Sequence, residues 1–136
     1  MTQGSARAAS PAQLIAPAAP ERSADHRKWG QLHGCSDALA ICESARAHPG
    51  LTLVVTRSTD NAIRLEQAIR FFLNLPPEED GATTSEDGLE LLSLPDWETL
   101  PYDLFSPHQD ISSRRIRTLH RLPTTRHGIL VVPART

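Results

Sequence analysis

The chain has 136 residues, of which 39% are hydrophobic, 22% charged and 4% aromatic. This length predicts one domain or part of one and excludes a complete multidomain enzyme. The net charge of -2 lacks the basic excess that binding nucleic acid through bulk charge requires, so any such contact has to be local. No apolar run approaches the ~18 residues of a membrane span, and residues 1–22 lack the order of a secretory signal. We therefore expect a cytoplasmic protein with no membrane partner.

The first part of the chain divides into a leader and the start of a folded domain. Residues 1–28 are rich in alanine and interrupted by prolines, which predicts a disordered leader. The remainder, 29–136, has the pattern of a folded domain. It opens with a glycine-bounded loop, Gly30–Gly34, that leads into a predicted helix over Ser36–Ala47. Either Ser36 or Asp37 is predicted to cap this helix.

The middle of the chain alternates between strand and helix patterns. Leu51–Val55 is a short, continuous apolar run, typical of a strand that is buried on both faces. Ser58, Thr59 and Asp60 offer a start for a helix in which apolar residues recur at three- and four-residue steps as far as Leu73. The acidic stretch 78–88 is rich in turn formers and is predicted to be an exposed loop. Leu89–Leu94 is the second predicted strand.

The last part of the chain predicts one more helix and strand. Between 95 and 107, prolines and aromatic residues alternate with acids, which indicates an ordered but irregular connection. Asp110 is predicted to cap a third helix, and the apolar face of that helix consists of Ile111, Ile116, Leu119 and Leu122. Ile129–Val132 is the last predicted strand. This alternation predicts an α/β fold with a parallel sheet and right-handed crossovers.

The loop before the first helix lies where a phosphate loop would lie, because the free amides and the dipole of a helix N-terminus favour anions. Its candidate residues are Gly30, Gly34, Ser36, Asp37 and Ala38. A loop of the G-x4-G-K-[ST] type needs a lysine for the phosphates and a hydroxyl for magnesium, but Ser36, Asp37 and Ala38 follow the turn. Because the carboxylate would repel phosphate, we predict a degenerate loop that binds no nucleotide. An unusual phosphate contact is the alternative.

Other polar residues are candidates for catalytic or metal-binding groups. Carboxylates and an imidazole could form a metal or acid/base cluster, but they share no periodic face, so we predict capping, turn and surface hydrogen bonds for Asp96, Glu98, Asp103, His108 and Asp110. Four scattered histidines are predicted to be exposed or satisfied within the core: His33, His48, His120 and His127. Cys35 and Cys42 match no compact zinc spacing and are predicted to be reduced, partly buried thiols. We therefore predict no catalytic residue and no metal site.

The third helix carries the only basic patch, formed by Arg114, Arg115, Arg117 and Arg121. The patch is predicted to be the solvated face of an amphipathic helix, and contact with a nucleic-acid phosphate backbone is the alternative. Aromatic residues precede the helix, and we predict packing rather than base stacking for Trp97, Tyr102 and Phe105.

The run LPDWETLPYDLFSPHQD, from Leu94 to Asp110, resembles the N-terminal region of bacterial transcription-repair coupling factors (Mfd). The resemblance continues through ISSRRIRTL, LPT and GILVVP, and more loosely through GQLHG and NAIRL upstream, so it covers about 29–136. The loop 76–88 looks longer than the family pattern. The residues that carry the motif are Asp96, Trp97, Glu98, Pro101, Tyr102, Asp103, Ser106, Pro107, Asp110 and Arg114.

The resemblance implies that 29–136 is a partial UvrB-like N-terminal domain. Its expected fold is a helicase-like (P-loop-type) three-layer α/β fold with a short parallel sheet, flanking helices and a decayed nucleotide loop, cut short at the C-terminus. Family members are ATP-dependent DNA translocases that displace stalled RNA polymerase and recruit excision repair through UvrA. The motor with its ATP and magnesium, and the regions that contact these partners, lie outside the matched part.

The resemblance thus implies a non-catalytic scaffold without a cofactor, whose partner is the remainder of the factor. RNA polymerase, UvrA and DNA would be contacted through regions absent from this chain. Two alternatives stay open: a small nucleotide- or phosphate-binding α/β protein, and a DNA-binding module that uses the arginine-bearing helix. Because a short sheet leaves strand edges and apolar faces uncovered, we also expect marginal stability or self-association.

Overall fold

The computed structural model describes residues 20, 22, 24–76, 84–97 and 109–134. In chain order these ranges contain α1 (Ser36–Ala47), β1 (Leu51–Thr56), α2 (Thr59–Phe72), β2 (Glu90–Ser93), α3 (Gln109–Arg121) and β3 (Gly128–Pro133). The predicted α/β class is confirmed, and each predicted element is present with small differences at its ends. Most of the predicted leader and of the connection 95–107, and part of the loop 78–88, lie outside the described residues.

The three strands form one parallel sheet in the order β1-β3-β2. The central strand β3 is thus the last in the chain, and Gly128 at its start aligns with Leu51 on one side and Glu90 on the other. Ile129 and Val131 of β3 are fully buried. A Cβ atom on Gly128 would lie 2.4 Å from the carbonyl oxygen of Glu90, so only glycine lets β2 and β3 approach this closely.

One hydrophobic core lies between the sheet and the helices α1 and α2. Both helices contact β3, and they contact each other. The buried side of α1 offers small side chains such as Ala38 and Cys42, and the larger Leu65 and Ile69 of α2 belong to the same cluster. Because the spacing of packed helices depends on the side chains between them, this pairing of small with large residues lets α1 and α2 share one face of the sheet.

The helix caps differ in part from those predicted. Cys35 precedes α1 and makes no side-chain cap, while the hydroxyl of Ser36 donates to a carbonyl of the preceding loop. Asp110 lies within the first turn of α3 rather than before it. α2 begins within the predicted Ser58–Asp60 stretch, and of these residues Ser58 is the N-cap, whose hydroxyl accepts a hydrogen bond from the backbone N–H of Asn61. No helix in the described ranges is long and apolar enough to cross a bilayer.

The prediction that the first strand is buried on both faces is wrong. Leu53 is 60% exposed and Val55 is 62% exposed, whereas Val54 packs against the core. The reason is positional: β1 is an outer strand of a small sheet, and among the described residues α2 packs against it on the face of Val54. A continuous apolar run reports that a strand is apolar, not how many of its faces are covered.

The predicted apolar face of α3 is not the face that packs. Ile116 is 68% exposed and Leu119 is 53% exposed, while Thr118 is buried. The hydroxyl of Thr118 donates to the carbonyl oxygen of Ser93 at 2.6 Å, so α3 lies along the outer edge of β2. The free backbone groups of an edge strand require hydrogen-bonding partners, and a polar helix face supplies them.

The described end of the acidic loop is more ordered than predicted. Thr84 pairs with Glu90 in an antiparallel bridge, and Ser85 is buried. The hydroxyl of Ser85 accepts from the backbone N–H of Leu89 at 3.1 Å, and Gly88 closes the turn with φ +76°. Through this small hairpin, Thr84 pairs with the first residue of β2.

We predict that Gly128→Ala lowers the free energy of unfolding by about 1–3 kcal/mol, because the added methyl group meets a backbone oxygen that cannot move without shifting β2. Urea titration followed by circular dichroism measures the change. Gly30→Ala is the matched control, since its Cβ meets nothing within 4 Å. An equal loss in both variants would contradict the role of the close approach.

A second prediction concerns pH. Cys42 is fully buried, and burial raises the pKa of its thiol from 9.0 to about 11. The folded state therefore holds the thiol proton more tightly than the unfolded state. The contribution of the protonated Cys42 thiol to stability is complete below pH 9 and is lost as the pH rises towards 11. The free energy of unfolding should fall by about 2–3 kcal/mol over this pH range. Cys42→Ala should remove this part of the alkaline loss and Cys35→Ala should not; parallel pH profiles for all three proteins would refute the prediction.

Candidate phosphate loop and arginine helix

The glycine-bounded loop enters α1 as predicted, and its backbone is held by the chain itself. Gly34 has φ +63°, a left-handed conformation that glycine adopts without strain. Both the backbone N–H and the hydroxyl of Ser36 donate to the carbonyl oxygen of His33, at 3.2 and 2.7 Å. The hydroxyl that a nucleotide loop would offer to magnesium is thus engaged in closing the turn.

The carboxylate of Asp37 lies at the N-terminus of α1. It accepts a hydrogen bond from the backbone N–H of Ala38 at 2.8 Å, and the guanidinium of Arg64 on α2 donates to its other oxygen at 2.8 Å. This pairing with Asp37 raises the pKa of Arg64 above its ordinary value. The negative charge that a helix N-terminus favours is therefore supplied by a side chain of the same chain.

The residues at this loop do not fit a nucleotide. Lys28 is the only lysine in the sequence, and it precedes the loop instead of following it. Ser36 is already bonded to the loop, and Asp37 is fixed by Arg64 where a phosphate would approach. A loop of the G-x4-G-K-[ST] type has the opposite arrangement, with a cation and a free hydroxyl at these places.

Arg115 on α3 packs against the residues that follow β2. Its guanidinium carbon lies 4.4 Å from the ring centroid of Trp97, within cation–π range, and its terminal nitrogen donates to the carbonyl of Pro95. The Nε atom of Arg115 is buried and has no hydrogen-bond partner among the residues that the structure describes. The Trp97 ring is therefore a packing surface for an arginine of the same fold, which agrees with the prediction of packing rather than base stacking.

A buried carboxylate links α3 to α2. Glu66 is 6% exposed, and its oxygens lie 3.1 Å from Arg70 and 3.6 Å from Arg114. Farther along α3, Arg121 lies 3.7 Å from Glu90 of β2. Three of the four arginines in the basic patch thus contact groups within the fold, so the patch is not the fully solvated face that its sequence predicts. Only Arg117 matches that expectation.

The acidic and histidine candidates do not converge. Asp96 accepts from the backbone N–H of Trp97 at 2.8 Å, and His127 lies 2.9 Å from the carbonyl oxygen of Ala45. The other scattered histidines, His33, His48 and His120, are exposed. The described residues contain no group of three or more histidines, cysteines or acids able to hold a metal. Several candidates lie outside the described ranges: Glu98, Pro101, Tyr102, Asp103, Phe105, Ser106, Pro107 and His108.

A polar cavity of about 400 Å³ lies where β1 ends and α2 begins. Open α/β sheets bind ligands at the carboxyl ends of their strands, so this cavity lies in the usual place. The sequence pattern did not single out this cavity as a site, although polar residues that directly follow a predicted strand are a usable signal. One guanidinium faces two carboxylates, so the cavity has no cationic excess; it is lined by Arg57, Ser58, Thr59, Asp60 and Asp96.

The fold and the loop define an α/β protein with a glycine-bounded turn before a helix but without the side chains of a nucleotide site. No family model matches the chain. The chain is 38% identical to the transcription-repair-coupling factor of Escherichia coli (strain K12) over 117 residues, which is 86% of this chain. It is also 38% identical to the transcription-repair-coupling factor of Haemophilus influenzae over 120 residues, 88% of this chain.

The chain spans about 9% of the length of each of these relatives. Over most of its own length it is homologous to a transcription-repair-coupling factor. The resemblance that the sequence predicts is therefore confirmed.

Proposed function

We propose that the chain serves as a non-catalytic structural piece of a transcription-repair coupling factor. The observation that carries the proposal is the 38% identity to two such factors over 86% and 88% of the chain. Within this role, the ion pair between Asp37 and Arg64 replaces phosphate binding with a contact that ties α1 to α2. The loop then stabilises the domain rather than binding a ligand.

The proposed fold is part of a helicase-like, P-loop-type α/β domain. Three observations support it: the parallel pairing, the position of β3 between two strands that precede it in sequence, and the glycine-bounded turn before α1. In such sheets consecutive strands are joined by crossover helices, as α2 and α3 join these strands. The sheet supplies a rigid frame together with two ion pairs between helices, Asp37 with Arg64 and Glu66 with Arg114.

The proposed setting follows from the names of the relatives, which describe coupling of transcription to DNA repair. In this setting the partner of the chain is the remainder of such a factor. ATP with magnesium, RNA polymerase, UvrA and DNA would be bound by other parts of the factor, and the described residues are proposed to need no cofactor.

We predict that the dissociation constant of the chain for magnesium–ATP is about 1 mM or weaker. The reason is that the loop lacks a lysine that could bind the phosphates. Isothermal titration calorimetry measures this directly. Gly34→Val and Ser36→Ala probe the loop, and Arg57→Ala is the matched control at the separate cavity. Micromolar binding that a loop variant abolishes would overturn the non-catalytic role.

A hybrid factor tests the setting itself. We expect the E. coli factor to keep transcription-coupled repair of ultraviolet lesions when its matched 117 residues are replaced by those of this chain. The readout is strand-specific repair in a strain that lacks its own factor. A hybrid that also carries Gly128→Ala controls for folding of the segment. A hybrid that is expressed and folded at wild-type levels but gives no strand bias would contradict the proposal.

A further inference from the structure

No further inference is drawn: the strongest candidate, the cavity of about 290 Å³ that Trp29 and Ser44 line beside the start of β1, is bounded at Pro20 by a stretch of the chain that the structure describes only in part, so nothing in the structure shows what covers it.

Discussion

Both outer strands of the sheet depend on β3, the last strand of the described chain. β1 and β2 hydrogen-bond to it and not to each other, and its Gly128 passes so close to Glu90 that a single methyl group would collide with the backbone. The core residues of α1 and α2 meet side chains of β3, so the core is completed only when this strand is in place. The fold therefore depends on pairings distant in sequence, which form slowly and only with closure of the whole domain.

The charged groups of this protein are used mainly inside it. Asp37 and Arg64 join the two helices at the place where a related architecture would bind phosphate. Glu66, buried between α2 and α3, faces two arginines. The partly exposed Asp37 and Arg64 stay in contact with solvent, whereas removal of the arginines that face the buried Glu66 would leave a poorly solvated carboxylate.

Prediction from sequence succeeded where the signal is local. The start of α2 within 58–60, the strand at Leu89–Leu94 and the missing lysine after Gly34 each follow from residues within a few positions of one another. It failed for the packed face of α3. Helical spacing groups Ile116 with Leu119, but the neighbour of α3 is the edge of a strand, which calls for hydrogen-bond donors. Periodicity describes a helix alone and carries no information about what lies beside it.

By itself the sequence determined the order of helices and strands, the absence of a lysine to bind phosphate after the loop, and the resemblance to transcription-repair coupling factors, because each is written in neighbouring residues. Only the tertiary structure decided that Asp37 meets Arg64, that Arg115 stacks on Trp97, and that α3 lies along the outer edge of β2. Those outcomes depend on which strand lies in the middle of the sheet. Strand order is set by the packing of distant segments, and no local pattern specifies it.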